Sequence, residues 1–279
     1  MIKKFIVLLV LLSFVVNGLA YADTGLFRLP EPGKTTLLDK LGIMAESGKV
    51  TGIPPSEDLN YDEIKIDNDT YADSNAYVQG LTNKGIKALK PGDEVKLYYN
   101  IVRGKKNILF VQTRQEFTNT DVSAFLDEIF GLPFYDGGYK PERNLSRASF
   151  IQLAISADGY RNEKSDRKNE VSCFKDVTKN DWYNGCVNAA KKHELINGYS
   201  DMNFKPNELI TYDDVIVIII RMLGYETEVK GSNPYTKGYL DLADKLGITK
   251  GIERSPGEPI TFATALRMLY NAMSVKLME

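Results

Sequence analysis

Few side chains of this sequence have the types and spacing of an active site. The only histidine, His193, lies in the run Lys-Lys-His-Glu on the polar face of a predicted helix. A Ser-His-Asp or Cys-His arrangement would need it, yet nothing places a nucleophile beside it, so we expect a surface histidine. No phosphate-binding glycine loop or dinucleotide fingerprint is present. Paired carboxylates for wall-remodelling hydrolysis can come from anywhere in a fold, so that reading stays open.

The two cysteines, Cys173 and Cys186, lie thirteen positions apart. Two thiols without a nearby histidine pair cannot form a closed zinc site. In an exported chain they can form a disulfide, and the alternative is two small buried residues.

Three aspartates, Asp67, Asp69 and Asp73, form an acidic cluster. A calcium loop of the EF-hand type needs a glycine at its sixth position and a carboxylate at its twelfth. Counted from Asp67, those positions hold Ala72 and Gln79. We therefore predict solvated turn and edge residues, with no metal site and no cofactor.

The first residues are typical of an export signal. Two lysines at positions 3 and 4 precede an apolar run over 5–16, and Ala20 and Ala22 are the small residues that a signal peptidase reads. We predict a signal peptide over 1–22; the alternative, an uncleaved anchor helix, would need a longer apolar run. The net charge of -2 gives no reason to expect a nucleic-acid partner. No later segment is expected to span a membrane.

Two zones follow the predicted signal peptide. Residues 23–48 are predicted to carry a short amphipathic helix over 35–45 that ends near Gly42. Residues 49–117 alternate polar and apolar positions in short runs divided by turns, as in Glu63 to Asp67 and Glu94 to Tyr99. This pattern predicts a small β domain, either a barrel or a curled sheet.

The rest of the chain is helical and repetitive. The segment 139–147 superposes on 204–212 with an offset of 65 residues, and a looser third copy begins at Pro259. Three hydroxyl residues stand where helix N-caps belong, and two glycines close the helices that follow: Ser146, Thr211, Thr261, Gly159 and Gly224. The charged segments 161–170 and 226–232 are predicted to be solvated linkers.

The second copy carries a longer series of motifs. In order, these are Phe174-Lys175-Asp176-Val177, Asp181-Trp182-Tyr183, Ile196-Asn197-Gly198-Tyr199-Ser200-Asp201, Phe204-Lys205-Pro206 and Ile210-Thr211. This series resembles the S-layer homology repeat. The resemblance implies three repeats, over 118–160, 171–225 and 233–276, that fold into a pseudo-threefold helical module. The predicted fold class is thus α+β, mainly α-helical, with a small barrel-like β domain before the module.

The resemblance also implies a function, which is non-catalytic anchoring of a secreted protein to a secondary cell-wall polysaccharide, often pyruvylated, at the bacterial surface. In the family a motif arginine faces the carboxylate of the ligand. Here only Arg147 stands at that position, since Tyr212 and Phe262 replace it in the other copies. The alternative for Arg147 is an exposed residue without a partner. The alternative function is a structural protein whose degenerate repeats and β domain contact other envelope proteins in a surface layer or complex.

The resemblance nominates eight glycan-binding candidates: Ser146, Arg147, Asp176, Trp182, Gly198, Tyr199, Asp201 and Thr211. For Trp182, packing in the core is favoured over a place in the groove. Asp176 and Asp201 are expected to cap helices or bond loops as an alternative to sugar contact.

Overall fold

A computed structural model describes residues 35–54, 62–80, 85–113, 116–130, 140–229 and 235–278. The predicted signal peptide, and Asp136 and Tyr139 of the first copy, lie outside these ranges. The chain divides into two compact units. One spans Gly42–Glu116, and the other combines Glu31–Leu41 with Phe117–Glu279. The fold class is α+β, as the sequence predicts.

The β unit is a closed barrel of five strands, in the order β1-β2-β3-β5-β4 and back to β1. The strands are β1 (Met44–Gly52), β2 (Asp62–Ile66), β3 (Asp69–Val78), β4 (Glu94–Val102) and β5 (Lys105–Gln112). All neighbouring strands are antiparallel except β3 and β5. A 3-10 turn, Ile86–Ala88, lies between β3 and β4. This is a five-stranded Greek-key barrel, the architecture of OB folds.

The alternating residues of these strands fill the barrel interior. Ile64, Ile66, Val95 and Leu97, each at most 5% exposed, point inward together with Tyr71. Strand β1 starts at Met44, so residues that the sequence assigned to an N-terminal helix belong to the barrel. The helix that does form, α1 (Leu37–Lys40), is one turn long, and its capping box joins Thr36 to Asp39.

The second unit consists of helices. They are α2 (Asn119–Phe130), α3 (Arg147–Ala157), α4 (Arg161–Asp166), α5 (Asn184–Lys192), α6 (Tyr212–Met222), α7 (Glu226–Val229), α8 (Tyr235–Lys245) and α9 (Phe262–Ala272). Helices α4 and α7 occupy the segments that the sequence assigned to solvated linkers; most of their described residues are exposed or partly exposed, but they form short helices that the prediction missed. The end of the first segment is also held in place, because the buried side-chain amide of Asn184 donates to the carbonyls of Lys168 and Glu170, both at 2.9 Å.

The three helices α3, α6 and α9 form the centre of this unit and contact one another pairwise. Each begins at a predicted N-cap whose hydroxyl accepts from the backbone N–H three residues on: Ser146, Thr211 and Thr261. These caps are confirmed. Gly159 and Gly224 follow their helices with φ of 81° and 82°, as predicted for helix ends.

The strand-like residues before these helices are joined in a ring. The amide of Leu145 donates to the carbonyl of Ile260 (3.1 Å), that of Ile260 to Ile210 (3.1 Å), and that of Ile210 back to Leu145 (2.9 Å). All three side chains are buried, at 4% exposure or less. Backbone groups that would otherwise be buried without partners are thus satisfied between segments distant in sequence.

Each outer helix packs against the inner helix of a different segment. Helix α2 contacts α9, α5 contacts α3, and α8 contacts α6, so each outer helix covers an inner helix other than the one that follows it in sequence. In the described residues each outer helix thus covers the inner helix of another segment, which ties the folding of the three segments together.

Candidate functional site

Arg147 is the first residue of α3, and its side chain is only 9% exposed. Its Nε donates to the carbonyl oxygen of Phe204 at 3.0 Å, and its Nη1 lies 2.8 Å from the Oδ2 of Asp214. The alternative offered for Arg147, an exposed residue without a partner, is therefore wrong. These two partners fix the guanidinium, so the directions of its remaining N–H donors are fixed as well.

Tyr199 lies between two cations. Its ring centroid is 5.0 Å from the Cζ of Arg147 and 4.5 Å from the Nζ of Lys205, and the residue is 39% exposed. Cations over an aromatic face are attracted by the ring quadrupole. Burial raises the pKa of Tyr199 above its usual value. The result is a partly exposed aromatic ring flanked by positive charge.

The loop that carries Tyr199 is fixed by two aspartates. Asp176 accepts from the backbone amides of Phe204 (2.8 Å) and Lys205 (2.7 Å). Asp201 accepts from the backbone and side-chain amides of Asn203, and the backbone bond lowers its pKa. Both aspartates thus bond loops, the alternative that the sequence offered beside sugar contact.

Two residues of this loop have left-handed backbones without being glycine. Met202 has a φ of 63° and Lys205 a φ of 60°. Such conformations cost free energy and concentrate at ligand sites, where the surrounding structure holds them. At Lys205 the bond from its amide to Asp176 supplies that restraint.

We define the Arg147 cluster as the residues just described: Arg147, Tyr199, Phe204, Lys205 and Asp214. Sequence reasoning named the first two as site residues and missed the other three. Phe204 and Lys205 belong to a recognised motif, which was the available signal. Asp214 gave none, because its contact to Arg147 joins two helices that are 67 positions apart.

The remaining candidates have mostly structural positions. Ser146 and Thr211 cap helices, and the Thr211 hydroxyl accepts a hydrogen bond from the backbone amide of Asp214. Gly198 has a φ of 79°, and a Cβ there would clash with the ring of Phe174. These residues shape the cluster and its loop.

Trp182 contradicts the prediction of a core residue. It is 52% exposed, with its ring edge-to-face against Tyr183 at 5.2 Å. The helix α5 begins two residues later, at Asn184, so Trp182 precedes the buried part of that helix.

The cysteines match neither alternative in full. Both are free thiols, so no disulfide joins them; Cys186 is buried and Cys173 is exposed. Burial raises the pKa of the Cys186 thiol to about 11, which leaves it protonated and unreactive at neutral pH.

His193, expected at the surface, is half-buried. Its ring stacks on Tyr160 with 3.6 Å between centroids, and its Nε2 lies 3.0 Å from the Oε1 of Glu163. Hydrogen bonds from Arg167, His193 and Lys192 outweigh the desolvation of Glu163 and lower its pKa to about 2. No Ser or Cys nucleophile is found among its hydrogen-bond partners in the described residues.

Two aspartates of the predicted acidic cluster, Asp69 and Asp73, have different partners in the barrel. Asp73 is buried and accepts from the amides of Ala76 (2.6 Å) and Ile86 (3.0 Å), whereas Asp69 pairs with Lys106 at 2.9 Å. The expectation of solvated residues therefore fails for Asp73. Within the described ranges, no group of three or more His, Cys, Asp or Glu side chains could hold a metal ion.

Lys106 and Glu46 belong to a polar cluster in the barrel. The hydroxyls of Tyr71 (2.6 Å) and Tyr99 (3.3 Å) both donate to the Oε2 of Glu46. Burial raises the pKa of both tyrosines, so they remain protonated donors. Because these groups satisfy one another, the cluster stabilises the barrel.

Comparison with known proteins bears on the helical unit. The S-layer homology domain family matches residues 174–216, which include Asp176, Tyr199 and Asp214. The chain is 35% identical over 144 residues to a surface layer protein of Brevibacillus choshinensis and 34% identical over 145 residues to a middle cell wall protein of Brevibacillus brevis. It is 28% identical over 144 residues to a cell surface protein of Thermoanaerobacter kivui.

The matches cover half of this chain, 52% in each case, but only 12%, 13% and 18% of the three relatives. The chain therefore contains an S-layer homology domain over 174–216, and it spans less than a fifth of the length of these three relatives. Among the helices that the structure describes, none is long and apolar enough to cross a membrane.

Proposed function

We propose that this is a non-catalytic, secreted protein whose helical unit anchors it to an anionic secondary polysaccharide of the cell wall, such as a pyruvylated one. The observation that carries the proposal is Tyr199 held between Arg147 and Lys205. The part of the Tyr199 ring that stays exposed suits apolar contact with a sugar, and the cations beside it suit a carboxylate substituent. The S-layer homology match and the surface proteins among the relatives support a place at the cell surface.

The helical unit is proposed to be a pseudo-threefold module of three repeats. The ring of hydrogen bonds through Leu145, Ile210 and Ile260 supports this arrangement, as does the cyclic packing of outer on inner helices. The repeat ranges 118–160, 171–225 and 233–276 stay proposals, as does export through the signal peptide over 1–22.

A ligand that binds at the Arg147 cluster must compete with a partner that Arg147 already has. Arg147 already faces the carboxylate of Asp214, whose side chain is 39% exposed. A ligand carboxylate therefore competes with a protein carboxylate for the same guanidinium. Such competition favours ligands that offer many weak contacts at once, as a polymer with repeated units does.

Binding to purified, protein-free cell walls tests the proposal. Lys205→Gln removes one partly exposed cation of the cluster, which also pairs with Glu208 at 3.1 Å, and should weaken binding about two- to fivefold, the effect of one exposed charge pair. Lys191→Gln is the matched control, because it makes the same change at an exposed residue of α5 outside the cluster. The measurement is the fraction of protein that sediments with the walls at increasing wall concentration.

A second variant addresses the arginine. Arg147→Lys keeps the charge but loses the forked geometry that serves Phe204 and Asp214 together, so we expect a larger loss than at Lys205. The proposal fails if the wild type does not bind the walls, or if Lys205→Gln and Lys191→Gln bind equally.

A second candidate function is assembly with other envelope proteins. Four large apolar residues of the helical unit that are 47% exposed or more favour it: Val171 (77%), Trp182 (52%), Met202 (54%) and Leu209 (47%). Binding to cell walls from which the polysaccharide, but not the protein, has been extracted distinguishes the two candidate functions. Binding that survives this extraction favours assembly.

A further inference from the structure

A tight turn, Lys205 to Glu208, brings a further carboxylate to the Arg147 cluster. Its sequence is Lys-Pro-Asn-Glu, and proline is favoured at the second position of such a turn because its ring fixes the backbone angle there. The amide of Glu208 donates to the carbonyl of Lys205 at 3.2 Å and closes the turn. Lys205 and Glu208 therefore stand at the two ends of one turn, where their side chains can meet.

Backbone hydrogen bonds hold this turn against the start of α3. The amide of Arg147 donates to the carbonyl of Glu208 at 2.9 Å, and the amide of Ala148 donates to the carbonyl of Pro206 at 3.0 Å. These are the first amides of the helix, which have no acceptor within the helix itself. The turn satisfies them, and in doing so it places Glu208 beside Arg147.

The side chains of Lys205 and Glu208 form an ion pair that is open to solvent. The Nζ of Lys205 lies 3.1 Å from the Oε1 of Glu208, and the two side chains are 35% and 56% exposed. The hydrogen bond with Glu208 raises the pKa of Lys205. Exposed pairs of this kind contribute little to stability, because water competes for both charges. A carboxylate from outside the chain can therefore replace Glu208 at low cost.

The pair of Arg147 with Asp214 differs from this one in burial. The side chain of Arg147 is 9% exposed, so removing Asp214 would leave a buried charge with one partner fewer. Lys205 is thus the cation of the cluster that exchanges partners more easily. With Glu208 included, two cations face two carboxylates, and the formal charge of the site is zero.

We infer that Glu208 is a built-in competitor of the ligand: its carboxylate occupies Lys205 in the ligand-free chain, and a ligand carboxylate must displace it to bind. The inference rests on the proposed function for the class of ligand. It gives Glu208 a role in setting the affinity, since a site of zero formal charge attracts a distant anion only weakly. Removing the charge of Glu208 should therefore strengthen binding, whereas the loss of a residue that merely supports the site would weaken it.

Titration of the isotopically labelled full chain with glucuronic acid, followed by amide NMR over residues 199–205, tests this inference. Glu208→Gln should bind about two- to fivefold more tightly than the wild type, the effect of one exposed charge pair. Glu228→Gln, which removes the same charge at an exposed residue of α7 outside the cluster, is the matched control and should bind as the wild type does. Added salt should weaken binding more steeply in Glu208→Gln, because its cluster carries a net positive charge.

The inference is overturned if Glu208→Gln binds glucuronic acid no more tightly than Glu228→Gln does. Weaker binding by Glu208→Gln would show that Glu208 only holds Lys205 in place. If no variant binds cell walls while Glu208→Gln still gains affinity for glucuronic acid, the proposed function fails and the inference stands. If the wild type binds walls but Glu208→Gln gains no affinity, only the inference fails.

Discussion

At the scale of single residues, the Arg147 cluster depends on conformations that only certain side chains allow. Gly198 both adopts a φ of 79° and lies against the ring of Phe174, where a Cβ would clash. Gly247 has a similar φ of 75°, but a Cβ there would meet nothing within 4 Å. An alanine at either position would have a strained backbone, but only an alanine at Gly198 would also clash with a neighbouring side chain. Comparison of the two variants therefore distinguishes the cost of backbone strain from the cost of the clash.

We predict that Gly198→Ala lowers the free energy of unfolding by about 1–3 kcal/mol more than Gly247→Ala does. Both variants incur the left-handed backbone cost of about 1–2 kcal/mol, and only the first must also displace Phe174. Urea denaturation of both variants and the wild type measures the difference. Equal losses would contradict the clash as the cause.

The local sequence was sufficient to predict the helix-capping roles of several residues. A hydroxyl before a helical apolar pattern can satisfy a backbone N–H within three residues, so Ser146, Thr211 and Thr261 were recognisable without knowledge of the fold. Trp182 was not, because its exposure depends on which helices cover it. Arg147 was predicted as a site residue, yet its partner Asp214 comes from another segment, where local pattern carries no information.

At the scale of elements, the short helix α1 is attached to the helical unit by a buried ion pair. Lys40 forms a salt bridge with Asp158, whose side chain is 3% exposed, and the Nζ of Lys40 lies 4.7 Å from the ring centroid of Tyr160. Burial raises the pKa of Asp158 even though Lys40 opposes that shift. Removing the lysine would leave a buried carboxylate without its partner.

We predict that Lys40→Met lowers the free energy of unfolding at pH 7 by about 1–3 kcal/mol. This is below the 3–5 kcal/mol typical of a fully buried pair, because the Lys40 side chain is 31% exposed. The folded-state pKa of Asp158 then rises further above its unfolded value, so the folded state binds the proton more tightly. The variant should therefore regain stability as the pH falls from 7 toward 4.

Chemical denaturation of Lys40→Met at pH 7, 5.5 and 4 measures this trend. The double variant Lys40→Met, Asp158→Asn is the control, since it has no carboxylate to protonate and should lose the added pH dependence. A Lys40→Met variant with the same pH dependence as the double variant would refute the explanation.

Periodicity predicted the inner helices and the strands but not the way in which elements pair. The runs in β2 and β4 alternate clearly, yet closure of the barrel needs the parallel contact of β3 with β5, which no local run encodes. The charged residues of α4 suggested a solvated linker, and the buried amide of Asn184 at the start of α5 fixes that segment instead. Contacts distant in sequence decided both outcomes.

At the scale of the whole molecule, the barrel is an insertion. The segments on either side of it, Glu31–Leu41 and Phe117–Glu279, belong to the same helical unit. Met44 of β1 and Gln112 of β5 both flank β4, where their partners Tyr99 and Lys96 are three residues apart. With strands about 4.8 Å apart, the two ends of the barrel lie within roughly 15 Å of each other. Insertions with neighbouring ends are well tolerated.

We predict that replacing residues 42–116 with a short Gly-Ser linker leaves a helical unit that unfolds cooperatively and still binds cell walls. The reason is that the Arg147 cluster and the ring of hydrogen bonds both belong to the helical unit. Far-ultraviolet circular dichroism during heating and wall sedimentation are the measurements. Loss of cooperative unfolding would show that the barrel is needed to form the unit.

The ends of the helical unit are also joined to each other. The amide of Leu38 donates to the carbonyl of Met273, the amide of Leu277 donates to the carbonyl of Thr35 at 2.7 Å, and Thr36 forms a β-bridge with Lys276. Synthesis runs from the N-terminus, so the strands of the barrel are all made long before Lys276 is. We therefore expect the barrel to fold before the helical unit is complete, because the segment around Thr36 cannot make these contacts until residues 273–277 have been synthesised.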